Sequence, residues 1–139
     1  HSTTAIQVAA ADALAVLASV RMSEEACDKH IGASLLGLTN SDIPVSARRG
    51  WVLCLGAMPR KALGAQRLTE VLTALCKEVH GVDLPGGEDQ DDPQTRQYAV
   101  LSLGRLCFKT SIQGSDLDLV ITALKAALND YATDRRGDV

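Results

Sequence analysis

Val52-Leu53-Cys54-Leu55-Gly56-Ala57-Met58 returns 48 residues later, from 52 to 100, as Val100-Leu101-Ser102-Leu103-Gly104-Arg105-Leu106. Arg48 and Arg96 fall in the same register. A second pair, Val71-Leu72-Thr73-Ala74-Leu75 and Val120-Ile121-Thr122-Ala123-Leu124, repeats at an offset of 49, from 71 to 120, which places the extra residue in a loop. Self-similarity at this period marks stacked helix pairs, since HEAT and armadillo units repeat at roughly 40–47 residues. A lone pair leaves one apolar face wet, and stacking buries it. The expected fold is therefore all-α, a HEAT/armadillo-like helical-repeat solenoid of about three antiparallel helix pairs. The whole of 1–139 is one such segment, with pairs at about 5–39, 44–80 and 93–131 and an acidic loop at 81–92.

Local signals mark six helices. Ile6, Ala10, Ala13, Leu14, Leu17 and Val20 recur at three- and four-residue spacing along a first helix from about 5 to 20. Ser23 can cap a second, with Glu24 and Glu25 against its N-terminal dipole, ending near Leu38 before Asn40. A third runs from about Pro44 to Met58, where Pro59 removes a helix hydrogen bond. The fourth spans about 65–79 and closes at Gly81. Asp92-Pro93 opens the fifth as a capping side chain followed by proline at the first helical position, and it continues to about Phe108. Ser115-Asp116-Leu117-Asp118 caps the sixth, ending near Tyr131, and Asp134 would cap a helix beyond it. A chain breaking there, with no apolar face following, is expected to be a piece excised from a longer array. Gly56 and Gly104 hold equivalent places and predict close helix packing at both.

Composition agrees. Hydrophobic residues make up 46% but aromatics only 3%, which suits close-packed helices better than a β-sandwich. A net charge of −3 lacks the basic footprint that nucleic acid demands, so no nucleic-acid partner is expected. No apolar run approaches the roughly 20 residues that span a bilayer, so no membrane is expected either. Cys27, Cys54, Cys76 and Cys107 are singly spaced among helical residues, which predicts small buried thiols in a reducing, cytosolic compartment.

Candidate chemistry is sparse. Cys27 with His30 and Cys76 with His80 each share a helix face, and four such ligands are what tetrahedral zinc takes. Buried cysteines beside partly exposed histidines account for the same residues without a metal. Arg136-Gly137-Asp138 spells an integrin-binding tripeptide, but a helix start, with Asp134 as its cap, is the preferable explanation. Gly32-Ala33-Ser34-Leu35-Leu36-Gly37 lies inside a helical pattern and is no nucleophile elbow, and the acids after Gly86-Gly87 would repel a phosphate. The acids at 88–92 lack the ligand spacing of an EF-hand. No catalytic residue and no cofactor is expected. Arg48, Arg49, Arg60, Lys61 and Arg67 flank one helix pair and could form a positive ridge for an acidic partner, or be scattered solvated charges. Trp51 beside them either fills the core or anchors an interface.

Two stretches carry a family resemblance. Arg48-Arg49-Gly50-Trp51-Val52-Leu53-Cys54-Leu55-Gly56-Ala57-Met58-Pro59 and Asp130-Tyr131-Ala132-Thr133-Asp134-Arg135-Arg136-Gly137-Asp138-Val139 resemble segments of the tubulin-folding cofactor D family, in the same order and separation. The resemblance covers roughly 44–139 and departs at Ala132 and Arg135, where the family usually has Thr and Ser. It implies an all-helical HEAT-repeat chaperone of the cytoplasm and cytoskeleton. Its implied partners are β-tubulin, the other tubulin-folding cofactors and an Arf-like small GTPase, and its implied task is to assemble or dismantle the αβ-tubulin heterodimer. It further implies no active site of its own, because GTP hydrolysis is stimulated in tubulin together with partner cofactors. A generic HEAT adaptor of transport or phosphatase machinery and a zinc hydrolase built on Cys27, His30, Cys76 and His80 are the alternatives.

Overall fold

The computed structural model describes residues 2–40, 42–81 and 92–137, with side chains over 3–40, 42–81 and 92–129. Six α-helices fill it: α1 (Ser2–Val20), α2 (Glu24–Leu38), α3 (Val45–Ala57), α4 (Ala65–His80), α5 (Pro93–Lys109) and α6 (Gly114–Gly137). A 3-10 turn, Arg60–Ala62, joins α3 to α4, and no strand occurs among the described residues.

The helix ends follow local chemistry. Ser23 Oγ accepts from the Ala26 N–H at 3.1 Å and satisfies one of the orphan donors at the start of α2. Asp92 does the same for α5, accepting from the Thr95 N–H at 3.0 Å and the Thr95 hydroxyl at 2.8 Å, with Pro93 in the first turn. Pro59 stops α3, and Gly81, at φ 69°, closes α4 in the left-handed conformation that glycine adopts without a Cβ penalty. The sixth helix differs from expectation. It starts at Gly114 and runs on through Tyr131 and Asp134 to Gly137, so no second helix begins at Asp134. No glycine or proline interrupts 131–136, and nothing local stops the helix earlier. Asp116 does not cap it either, for its carboxylate accepts from the Thr69 hydroxyl of α4 at 2.9 and 3.0 Å. The loop 82–91 and Asp138 of the tripeptide lie outside the described residues.

The helices pack as two layers, α1, α3 and α5 in one and α2, α4 and α6 in the other. Within a layer neighbours run the same way. Arg49 meets Asp92, Ser102 meets Val52 and Lys109 meets Gly56, so residue numbers rise together along α3 and α5. The repeated segments therefore occupy adjacent helices of one layer, α3 beside α5 and α4 beside α6. Between layers α2 and α3 are antiparallel, with Leu38 against Arg48 and Gly37 against Trp51.

The pairing departs from the expected scheme. The closest approaches between layers join α2 to α3 and α4 to α5, across the anticipated boundaries near 44 and 93. Instead of lying along α2, α1 rests on α3 and reaches α5, where the Tyr98 hydroxyl donates to Gln7 Oε1 at 3.0 Å and Arg105 pairs with Asp12 at 2.7 Å. Ala11 and Ala18 are small enough to bring α1 close, and both are buried. A single core runs through all six helices, centred on Leu55, Leu72, Leu75, Leu103 and Leu106.

The first helix also corrects the composition argument. Thr3–Val20 is an 18-residue helical stretch long and apolar enough to cross a membrane by length and composition. Its alanines carry much of that character. Ile6, Val16, Leu17 and Val20 are exposed on it.

Candidate interaction surface

The structure parts the five basic residues that the sequence set side by side. Arg48 is fully buried in α3, so it belongs to no surface. Its guanidinium donates to the Leu38 carbonyl at 3.2 Å and forms an ion pair with Glu78 of α4, tying α2, α3 and α4 together. Burial pushes the Glu78 carboxyl up from its ordinary range, and Arg48 opposes that shift. The pair is the largest buried charge feature among the described residues, and removing one member would strand the other in the core.

Arg49 is half-buried and grips Asp92 with two bonds, Nε to Oδ2 at 2.7 Å and Nη2 to Oδ1 at 3.0 Å. This fork holds the Asp92 carboxyl below its ordinary range while Asp92 caps α5. Arg67 of α4 makes a similar fork with Asp28 of α2, at 2.7 and 3.3 Å. Lys61 donates to the carbonyls of Ser19 and Met22 and caps the electronegative C-terminal end of α1. Of the five, only Arg60 lacks a tie of this kind among the described residues, and it is exposed. A continuous positive ridge is thus not what they form. Four are stitches between elements, because carboxylates and helix C-termini lie opposite them on neighbouring helices.

The zinc candidates do not converge. The Cys27 thiol is buried against the Ala18 carbonyl of α1 at 3.8 Å, whereas the Cys76 thiol meets the Leu119 carbonyl of α6 at 3.8 Å. His30 is exposed and His80 half-buried. Among the described residues no group of three or more His, Cys, Asp or Glu side chains is placed to hold a metal. Burial pushes the Cys76 thiol up to about 11, away from the thiolate that a metal or a nucleophile requires. Cys107, expected inside, is exposed. Ser34 donates to the His30 carbonyl at 2.8 Å in mid-helix, as its helical setting predicts.

Trp51 is half-buried and packs on the core, filling the space that Gly37 leaves open. A Cβ at Gly37 would come within 2.8 Å of the indole Cδ1. The indole N–H is buried without a hydrogen-bond partner among the described residues.

Two cations outside that cluster face an open groove. Arg105 and Lys109 of α5, with Arg60, line the space between α1 and α5 over the end of α3. Lys109 donates to the Gly56 carbonyl at 2.7 Å, and its partial burial, with Arg105 nearby, lowers its pKa to about 8. The repeat itself carried a clue, since Arg105 stands where the first copy has the buried Ala57. Glu78 was equally legible as an acid between the buried Leu75, Cys76 and Val79. No protein-family model, curated protein or solved structure matches this chain.

Proposed function

We propose that this chain is a helical-repeat segment of the tubulin-folding cofactor D type, a scaffold that offers helix faces to β-tubulin and its handling machinery and performs no chemistry itself. The observation that carries the reading is the placement of the repeated segments, Val52–Met58 on α3 beside Val100–Leu106 on α5, as neighbours in one layer. Stacking of equivalent helices in layers is how a repeat array is built. The Arg48–Pro59 block that carries the resemblance forms the centre of the molecule, with Arg48 and Arg49 binding α3 to its neighbours. Cytoplasmic residence, association with the other cofactors and with an Arf-like small GTPase belong to the same proposal.

Sedimentation of the chain with purified αβ-tubulin, and separately with an Arf-like small GTPase, tests it at low ionic strength. A faster-sedimenting complex with tubulin is expected. If neither protein shifts the boundary, the chain is a generic helical-repeat adaptor and the tubulin assignment falls.

A further inference from the structure

The groove between α1 and α5 consists of two adjoining cavities of about 470 and 440 Å³ that share Ala15 and Lys109. Small residues on all three helices open it: Ala15 on α1, Gly56 on α3 and Gly104 on α5. Gly104 is the odd one. A Cβ there would meet nothing within 4 Å, so no packing among the described residues explains a mid-helix glycine that costs about 0.5–1 kcal/mol against alanine. Apolar side chains stand at the rim. Phe108, the one phenylalanine, is 94% exposed, and Val16 and Val20 are about two-thirds exposed.

Charge in the groove runs against that of the molecule. Arg60, Arg105 and Lys109 face a single carboxylate, Asp12, on a chain whose net charge is −3. Arg105 spends one nitrogen on Asp12 and keeps Nη1 buried without a hydrogen-bond partner among the described residues. Lys109 is crowded by Arg105 and partly desolvated, a cost that an incoming carboxylate would relieve.

We propose that this groove docks an acidic amphipathic segment of a partner protein, its apolar side chains over Gly104 and against Phe108, its carboxylates on Arg60, Arg105 and Lys109. The exposure pattern favours a peptide over an anionic bilayer, because Arg105 and Lys109 are half-buried beside α1 and a flat surface would meet chiefly the exposed Arg60. Apolar anchors in a pocket supply the affinity and the matched charges supply orientation and rate. The site does not rest on the tubulin reading, and its failure would leave that reading standing.

The test uses a fluorescent synthetic peptide bearing Leu and Glu at alternating three- and four-residue spacing, with Lys-for-Glu and Ser-for-Leu counterparts, read by anisotropy against the whole chain. The Leu/Glu peptide is expected to bind at least about tenfold tighter than either counterpart, and more weakly as salt rises. Gly104→Leu fills the groove without touching the core, and Arg60→Glu reverses an exposed charge. Each should weaken binding about tenfold or more while thermal melting stays at or above that of the unaltered chain. Equal binding of the three peptides would overturn the proposal. So would unchanged affinity in both folded variants, or binding to phosphatidylserine vesicles without any to the peptides.

Discussion

Helices α3 and α5 carry two copies of one sequence pattern and live in different surroundings. α3 lies between α1 and α5 within its layer and against α2, so it is hemmed in on several sides, whereas α5 keeps one face open. Val52 is fully buried and its counterpart Val100 is partly exposed. Gly56 is pressed against Ser102, whose Cα a Cβ would approach to 2.7 Å, while Gly104 faces open space. Arg48 is sealed in an ion pair, and Arg96 at the same register is half-buried. Similar residues at one period thus serve as core in one copy and as binding wall in the other. A repeat specifies what a helix is, and its neighbours specify what it does.

The sharpest way to break that contrast is the buried pair. Glu78→Ala strands the Arg48 charge and is expected to cost about 3–5 kcal/mol in urea unfolding. Replacing both partners as Arg48→Met with Glu78→Leu should recover most of the loss. A loss below about 1 kcal/mol for Glu78→Ala would show that Arg48 is not a sealed charge of the α3 core.

Next comes the glycine pair. Gly56→Ala forces Ser102 away and should lose about 1–3 kcal/mol by overpacking. Asp92→Ala removes the cap that joins α5 to Arg49 and should cost about 1–2 kcal/mol at neutral pH. The folded Asp92 pKa lies below its ordinary 3.8, so this contribution is complete above that value and fades as pH falls through the lower folded one. Stability of the variant and the unaltered chain should therefore converge in acid. The smallest effect has the opposite sign, for Gly104→Ala should gain about 0.5–1 kcal/mol, read as a higher melting temperature. A loss there would mean that the open face of α5 is filled in solution.

Much of the fold was legible because helix boundaries are local. Ser23, Asp92-Pro93, Pro59 and Gly81 each act within a few residues, and all four perform as their chemistry dictates. The equivalence of Gly56 and Gly104 was legible too, but only half of its consequence, since packing exists at the first and not at the second. The basic cluster misled for a geometric reason. Successive residues on a helix point about 100° apart, so Arg48 turns inward to Glu78 while Arg49 turns to Asp92, 43 positions away. Adjacency in sequence is not adjacency in space on a helix. The apolar length of α1 is a property of its sequence, carried by alanines interspersed with Val, Leu and Ile.

From the residues alone come the six helices, the caps of α2 and α5, and the rule that 52–58 and 100–106 are the same kind of surface, for propensity, periodicity and capping are short-range. Tertiary structure decided that α1 crosses to α5, that Arg48 is core and that Lys109 and Arg105 line a groove. Burial and pairing depend on which helix lies opposite, and that is set by long-range packing of several faces at once, which no local pattern encodes.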